Sequence, residues 1–493
     1  MKDKYILGID QSTQGTKALI FDSEGNILGR YDMPHNQIVN DIGWVEHDPI
    51  EIYNNTLQVA QATIKKTGID KSKITCIGLT NQRETALVWD KVTGLPLYNA
   101  IVWQCARGAS ICNRIKEHGD MIKGHTGLPL SPYFSAAKIA WVLENVEGAK
   151  ERAEAGEIAY GTMDSWLIYQ LTHKQNLKTD YSNASRTQLF NIQTLTWDED
   201  VCKLFGISPK GLATVCDSNA NFGVTDLGGY LDHPIPIHSA MGDSHGALFG
   251  QSCLEKGMVK ATYGTGSSIM MNIGSEPIIS EHGIVTSLAW GMDKKVNYCL
   301  EGNINYTGAV ISWLKNDLEI IQSAGETEKL AQKANPLDKT YLIPAFSGLG
   351  APYWDSEAKA TILGMNRTTG KREIVKAALE SIAYQIADIV NVMAEDAKME
   401  IKELRVDGGP TKNSYLMQFQ SDILDINVRV PKAEELSVIG AVYMAGIGVG
   451  MYQKELLFSE KNATEYKPMM KEEERQERYE GWKAGINTVL HHK

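Results

Sequence analysis

The apolar run Tyr5-Ile6-Leu7-Gly8-Ile9 breaks off at the polar stretch 10–16, resumes over 17–22, and resumes again over 27–31 after the turn Ser23-Glu24-Gly25-Asn26. That pattern predicts a β-meander whose first hairpin is rich in hydroxyls. Helical spacing of apolar residues predicts helices over 48–66, entered through Asp-Pro, and over 135–144. Two strands, 74–79 and 85–89, flank the polar insert Asn81-Gln82-Arg83-Glu84. At the midpoint an apolar stretch enters the acidic turn of MGDSHGALFG (241–250), and ALFGQSCL then reads as helix. Beyond it the opening pattern returns: a strand at 258–263, the turn Gly264-Thr265-Gly266-Ser267-Ser268, and a strand at 269–273. Helices over 307–316 and 373–397 follow, then a strand at 404–406, the turn Asp407-Gly408-Gly409-Pro410 and a helix over 412–423. The reading is an α/β protein of two halves, 1–247 and 248–493, each opening on strand–polar turn–strand.

Composition narrows the function. A net charge of −11 argues against a nucleic-acid partner, which requires a basic surface. It leaves room for local phosphate binding through backbone amides and a metal ion. The seven cysteines are scattered without a C-x-x-C pair, which suits a reducing cytoplasm. The N-terminus turns polar too early for a signal peptide, and the apolar stretch 438–451 is too short and glycine-rich to span a bilayer. The expectation is a cytoplasmic protein with no membrane partner.

Several short stretches carry candidate chemistry. Gly/Ser/Thr-rich turns between strands present N–H groups and hydroxyls to an anion, although a single such turn is usually only a hairpin. Two, one per half, could grip a polyphosphate from both sides; neither has Walker A spacing. Asp10, beside the first turn, could hold Mg²⁺, or could simply close an Asx-turn. The Asp407-Gly408-Gly409-Pro410 turn ahead of a helix suits a phosphate or a nucleotide sugar. Arg83-Glu84 sets a donor fork beside an acceptor, a match for a vicinal diol or an ordinary surface ion pair. Asp243 is a candidate general base in a cleft, yet Gly242-Asp243-Ser244-His245-Gly246 also fits the G-x-S-x-G nucleophile elbow with Ser244 as nucleophile. The elbow leaves the other turns unexplained and has only His282 as an obvious downstream histidine.

Taken together, GIDQSTQGTKALIFD, NQRETALVWD, GTMDSWLIYQLT, ATYGTG, LEGN, PAFSGLGAPYWD and VDGGPTKNSYLMQFQSDIL resemble the FGGY carbohydrate kinases, and within them the glycerol kinase branch. The resemblance implies an actin/hexokinase-like pair of domains with ribonuclease H-like cores and a catalytic cleft between them. It implies ATP and Mg²⁺, a polyol or sugar hydroxyl as acceptor, and a homodimer. Carried over by motif, Asp243 is the general base and Asp10 the carboxylate near the metal. Arg83, Glu84, Trp103, Tyr133 and Asp243 bind the acceptor, while Thr13, Gln14 and Lys17 lie by the transferring phosphate. Gly264, Thr265 and Gly266 form the second phosphate turn, and Gly308, Ser312, Gly409, Pro410 and Asn413 line the nucleotide.

Two departures bear on substrate. Ser244 stands where glycerol kinases normally have a glutamine that bonds the triol, and Ser268 where they have an aromatic wall. These substitutions open the pocket and offer hydroxyls, which points to an acceptor longer than glycerol, such as a pentitol or xylulose; the alternative is glycerol itself. A non-catalytic nucleotide-binding sensor is the third reading, disfavoured because Asp10 and Asp243 are both retained.

Overall fold

Each strand–turn–strand pattern nucleates its own sheet. In the computed structural model, which describes residues 4–457 and 463–490, the first sheet has six strands. Its order is Gly223–Thr225, Ile235–Gly242, Ile74–Asn81, Tyr5–Gln11, Gly15–Phe21 and Ile27–Pro34. Tyr5–Gln11 pairs antiparallel with Gly15–Phe21 and parallel with Ile74–Asn81. The seven-stranded second sheet repeats this device: Val259–Tyr263 pairs antiparallel with Ser267–Gly274 and parallel with Glu403–Asp407. The internal repeat read from the sequence is therefore topological. A smaller five-stranded sheet, including Ala86–Asp90 and Ile158–Thr162, is inserted in the first half.

The expected helices form with small shifts at their ends. Pro49–Thr67 starts where Asp48 accepts the Ile50 N–H at 2.8 Å and stops at Gly68, whose left-handed φ of 66° closes the C-cap. Lys371–Ala397 is buried along most of its length against the second sheet. Two expectations need correction. The acidic residue at the midpoint is not in a turn ahead of a helix; it is the first residue of the helix Asp243–Gly250. The 412–423 helix is split, because Asn413 caps Ser414–Leu424 and leaves Gly409–Lys412 as a separate 3₁₀ turn.

One late helix belongs with the early sheet. Leu436–Gly448 lies on the first sheet where Gly8 and Gly78, cross-strand partners, leave a groove. A Cβ at Gly8 would meet Val438 at 2.5 Å, and one at Gly78 would meet the Ala441 carbonyl at 2.7 Å. The same helix crosses Asp243–Gly250 at backbone contact, where a Cβ on Gly440 would stand 1.9 Å from the Gly246 carbonyl oxygen. Small residues here permit the close approach, and the crossing holds the midpoint helix against its own sheet. Among the described residues no helix is long and apolar enough to cross a membrane, and the seven cysteines are unpaired thiols.

Gly440→Ala should therefore destabilise the protein despite alanine's better helix propensity. A loss of about 1–3 kcal/mol, the scale of overpacking, is expected in urea unfolding. An unchanged midpoint would show that the two helices separate freely.

Candidate active site

Three adjacent parallel strands end at one place. Asp10 closes Tyr5–Gln11, Arg83 and Glu84 follow Ile74–Asn81, and Asp243 follows Ile235–Gly242. Ligands bind at the carboxyl ends of such strands, where neighbouring loops diverge. The turn at Asp243 is fixed from behind: the Gly242 N–H donates to Ser182 Oγ at 2.9 Å, and that hydroxyl donates to Asp180 at 2.9 Å. Asp243 accepts the Ser244 N–H at 2.6 Å, lies 3.2 Å from Arg83 Nε, and keeps 36% of its side chain exposed. It is thus oriented yet accessible, as a proton acceptor for an incoming hydroxyl must be.

Beside it lies a buried ionic knot. Arg83 grips Glu301 with both arms at 2.7 Å, Arg186 donates to Glu84 at 2.5 Å, and Arg186 Nη1 is 3.1 Å from Glu301. Burial alone would raise the Glu301 carboxyl, but Arg186 and Arg83 hold it well below the usual carboxylate range. Arg83 and Glu84, expected at the acceptor, are each buried with a protein partner, Glu301 and Arg186, so the alternative, a surface ion pair between them, does not form. Glu84 takes a left-handed φ of 58°, which sets it apart from the strand before it. Trp103 and Tyr133 meet edge to face at 5.6 Å, and the Trp103 indole donates to Thr13 Oγ1 at 3.0 Å. The acceptor wall and the first hydroxyl-rich turn are thereby joined.

In that turn Gln14 is exposed, and Lys17 lies 3.1 Å from Asp10 and 2.5 Å from Glu435, which caps the late helix. Burial pushes the Asp10 carboxyl up, Lys17 pulls it back, and Asp243 and Glu435 push it up further. Asp10 Oδ1 is buried without a hydrogen-bond partner. The orphaned oxygen belongs to a carboxylate whose other oxygen faces Lys17, and a free carboxylate oxygen is chemically suited to a hard cation. No group of three metal-ligating side chains exists among the described residues. This matches an ion such as Mg²⁺ held by one or two carboxylates, with phosphates and water completing its shell.

The second turn is bonded to the start of the helix Gly308–Asn316. Carbonyls of Gly264 and Thr265 accept the N–H groups of Gly308 and Thr307 at 2.9 and 3.0 Å. Gly408, at φ 100°, presses against the Tyr263 carbonyl, where any Cβ would stand 2.0 Å away. Gly308, Ser312, Gly409, Pro410 and Asn413 all line one cleft of about 500 Å³. Ser268 is not a vacant hydroxyl: its Oγ and carbonyl oxygen each lie 3.4 Å from the buried Lys260 ammonium. His245 is buried against Ser287 Oγ at 3.1 Å, and His282, the one histidine the elbow reading had to draw on, pairs with Asp396 at 2.7 Å. Glu301, Arg186, Lys260 and Glu435 carry structural weight that the motifs did not assign. For Glu301 and Lys260 the signal was a lone charge in an apolar strand, in VNYCLEGNI and VKATY; Arg186 and Glu435 lie outside strands and carried no such signal.

Comparison with known proteins agrees with this geometry. Residues 5–250 match the FGGY family of carbohydrate kinases, N-terminal domain, and residues 259–449 match its C-terminal domain. Glycerol kinase 1 of Thermotoga maritima is 49% identical over 99% of both chains, and the glycerol kinase of Petrotoga mobilis is 47% identical over 99% of this chain and 98% of its own. The crystal structure of Plasmodium falciparum glycerol kinase with ADP superposes with a TM-score of 0.93 at 37% identity, covering 99% of each chain. A ligand-bound xylulose kinase from Lactobacillus acidophilus has a TM-score of 0.88 at 22% identity, over 99% of this chain and 98% of its own, and shares the fold.

Glu301→Gln should remove the buried carboxylate that Arg83 and Arg186 share, leaving Arg83 with the partly exposed Asp243 and Arg186 with Glu84. A loss of about 3–5 kcal/mol in denaturant unfolding at neutral pH is expected. Because the Glu301 carboxyl titrates below its unfolded value, its contribution is complete above the ordinary carboxylate range and disappears as pH falls toward its depressed folded value. The wild type should show that acid-side loss of stability and the variant should lack it.

Proposed function

Since this chain belongs to the FGGY family of carbohydrate kinases, we propose that it transfers the γ-phosphoryl group of ATP to a terminal hydroxyl of glycerol. The coarser statement is established: it is an ATP-dependent phosphotransferase with an alcohol as acceptor. The choice of glycerol rests on likeness along the whole chain to proteins named glycerol kinase.

The residues fit the reaction as follows. Asp243 accepts the proton of the attacking hydroxyl, and Arg83 beside it holds the carboxylate in line. Trp103 and Tyr133 bound the carbon chain of the acceptor. The N–H groups of Thr265 and Gly266 and of the Thr13 turn receive the phosphates from opposite halves, and the cleft of about 500 Å³ takes the nucleoside. Asp10 would hold Mg²⁺, whose chemistry is to neutralise charge on the phosphate oxygens. Phosphoryl transfer needs this positioning and neutralisation more than covalent help, so the protein supplies orientation and a site closed to water.

The longer acceptor expected from Ser244 and Ser268 remains a second reading, less supported by the named relatives than glycerol. Its structural support is a cavity of about 560 Å³ that shares Tyr133, Arg186 and Glu301 with the acceptor site and is lined further by Asn303 and Asn305. Against it, Ser268 faces Lys260 and so leaves less room than its size implies.

ADP release across glycerol, erythritol, pentitols and xylulose should give the highest kcat/KM with glycerol. A pentitol or xylulose exceeding glycerol would transfer the assignment to the longer acceptor. Asp243→Asn should lower kcat by about 10²–10⁴-fold while ATP binding stays unchanged, and full turnover by that variant would remove Asp243 from the chemistry.

A further inference from the structure

Lys260 is fully buried on the strand Val259–Tyr263, which leads into the Gly264–Gly266 turn. Its ammonium donates to Thr262 Oγ1 at 3.1 Å and lies 3.4 Å from both the carbonyl oxygen and Oγ of Ser268. Among the described residues no carboxylate stands within 4 Å of it. A desolvated cation without a contacting counter-ion is expensive, and a hydrocarbon of the same shape would be tolerated better.

What surrounds it gives the reason. Thr262 is the cross-strand partner of Ser268 on one side and of Asp407 on the other. Asp407, Thr262 and Ser268 thus form one row across the sheet, and Lys260, two residues before Thr262, shares its face. Asp407 heads the Gly408-Gly409 turn of the nucleotide cleft, Thr262 precedes the phosphate turn by two residues, and Ser268 walls the acceptor site. The charged and titratable groups that face the ammonium are Asp407 on the adjoining strand, Glu301 on the strand beyond Ser268, and Arg83, Asp243 and His245 from the first half. Burial draws the ammonium below the ordinary lysine range; Asp407, Glu301 and Asp243 oppose that, and Arg83 adds to it.

We propose that Lys260 is a positioning residue for phosphoryl transfer, its buried ammonium fixing the Asp407–Thr262–Ser268 row so that nucleotide turn, phosphate turn and acceptor wall hold one register opposite Asp243. This rests on the reading of Gly264–Gly266 as a phosphate turn. The cation acts through the row and adds fixed positive potential beneath the site where phosphate charge moves, an arrangement that needs no reorganisation during transfer.

The test compares full-length Lys260→Met and Lys260→Arg with wild type, using ADP release with whichever acceptor the wild type turns over fastest, and denaturant unfolding. Failure of glycerol as the acceptor would thus change the substrate in the assay and leave the Lys260 comparison intact. Lys260→Met should lose about 100-fold in kcat, the scale of removing one preorganised electrostatic contact. Its KM values should stay within about threefold, as for a group whose effect is confined to the transition state. Its unfolding midpoint should equal or exceed wild type, since the desolvated charge is gone. Wild-type kcat should fall with rising pH from below the ordinary lysine range as the ammonium deprotonates. That fall should be absent in Lys260→Met, and Lys260→Arg should recover activity and move the fall to higher pH. A kcat for Lys260→Met within about twofold of wild type would overturn the proposal. Parallel loss of stability and activity with the alkaline fall retained would also overturn it, leaving Lys260 as packing alone.

Discussion

The fork between Arg83 and Glu301 is the constraint around which the cleft is arranged. It joins residues 218 positions apart, one from each half of the chain, and both are buried. Ion pairs of this kind contribute little net stability against a hydrophobic replacement, but they tolerate no half-measures: separating the partners strands a charge away from water. The relative placement of the two sheets is therefore specified at the floor of the cleft more sharply than apolar packing alone would specify it. Asp243 inherits that definition through its contact with Arg83, and Glu84 through Arg186.

The local part of this arrangement was legible in the sequence. Strand–turn–strand units and the Asp407-Gly408-Gly409 turn are short-range patterns, and five residues expected at the nucleotide do line one cleft, whereas the midpoint helix starts at Asp243, earlier than the pattern places it. The nonlocal part was hidden. Glu301, Arg186, Lys260 and Glu435 are single charges whose meaning depends on what arrives from far along the chain, and period-two or period-3.6 patterning carries no such information. What surrounds a small side chain such as Ser268 is nonlocal in the same way. A small side chain reads as empty space in a sequence, whereas here a lysine from the neighbouring strand stands beside it.

The two halves also divide the chemistry unequally. The first supplies the groups with exposed or orphaned oxygen, Asp10 and Asp243, and the second supplies the Gly264–Gly266 and Gly408-Gly409 turns and the cleft of about 500 Å³. Neither is complete alone. Lys17 and Glu435 tie the first turn to a helix encoded late in the chain, and Glu301 reaches back from the second sheet to Arg83. A cleft assembled in this way gathers its charges only when both halves are folded against each other.

The late helix Leu436–Gly448 has a consequence for how the protein is made. Its crossing partner Asp243–Gly250 is synthesised about 190 residues earlier, and its groove on the first sheet, at Gly8 and Gly78, about 360–430 residues earlier. At about 5–20 residues per second the ribosome needs about 10–40 s from the crossing partner to the cover. During that interval the apolar face formed by Ile6, Leu19, Phe21 and Cys76, which the helix later buries, has no native partner. The first sheet waits with that face exposed or shielded by a chaperone, so the order of translation gives the nascent N-terminal half an apolar surface that the finished enzyme hides.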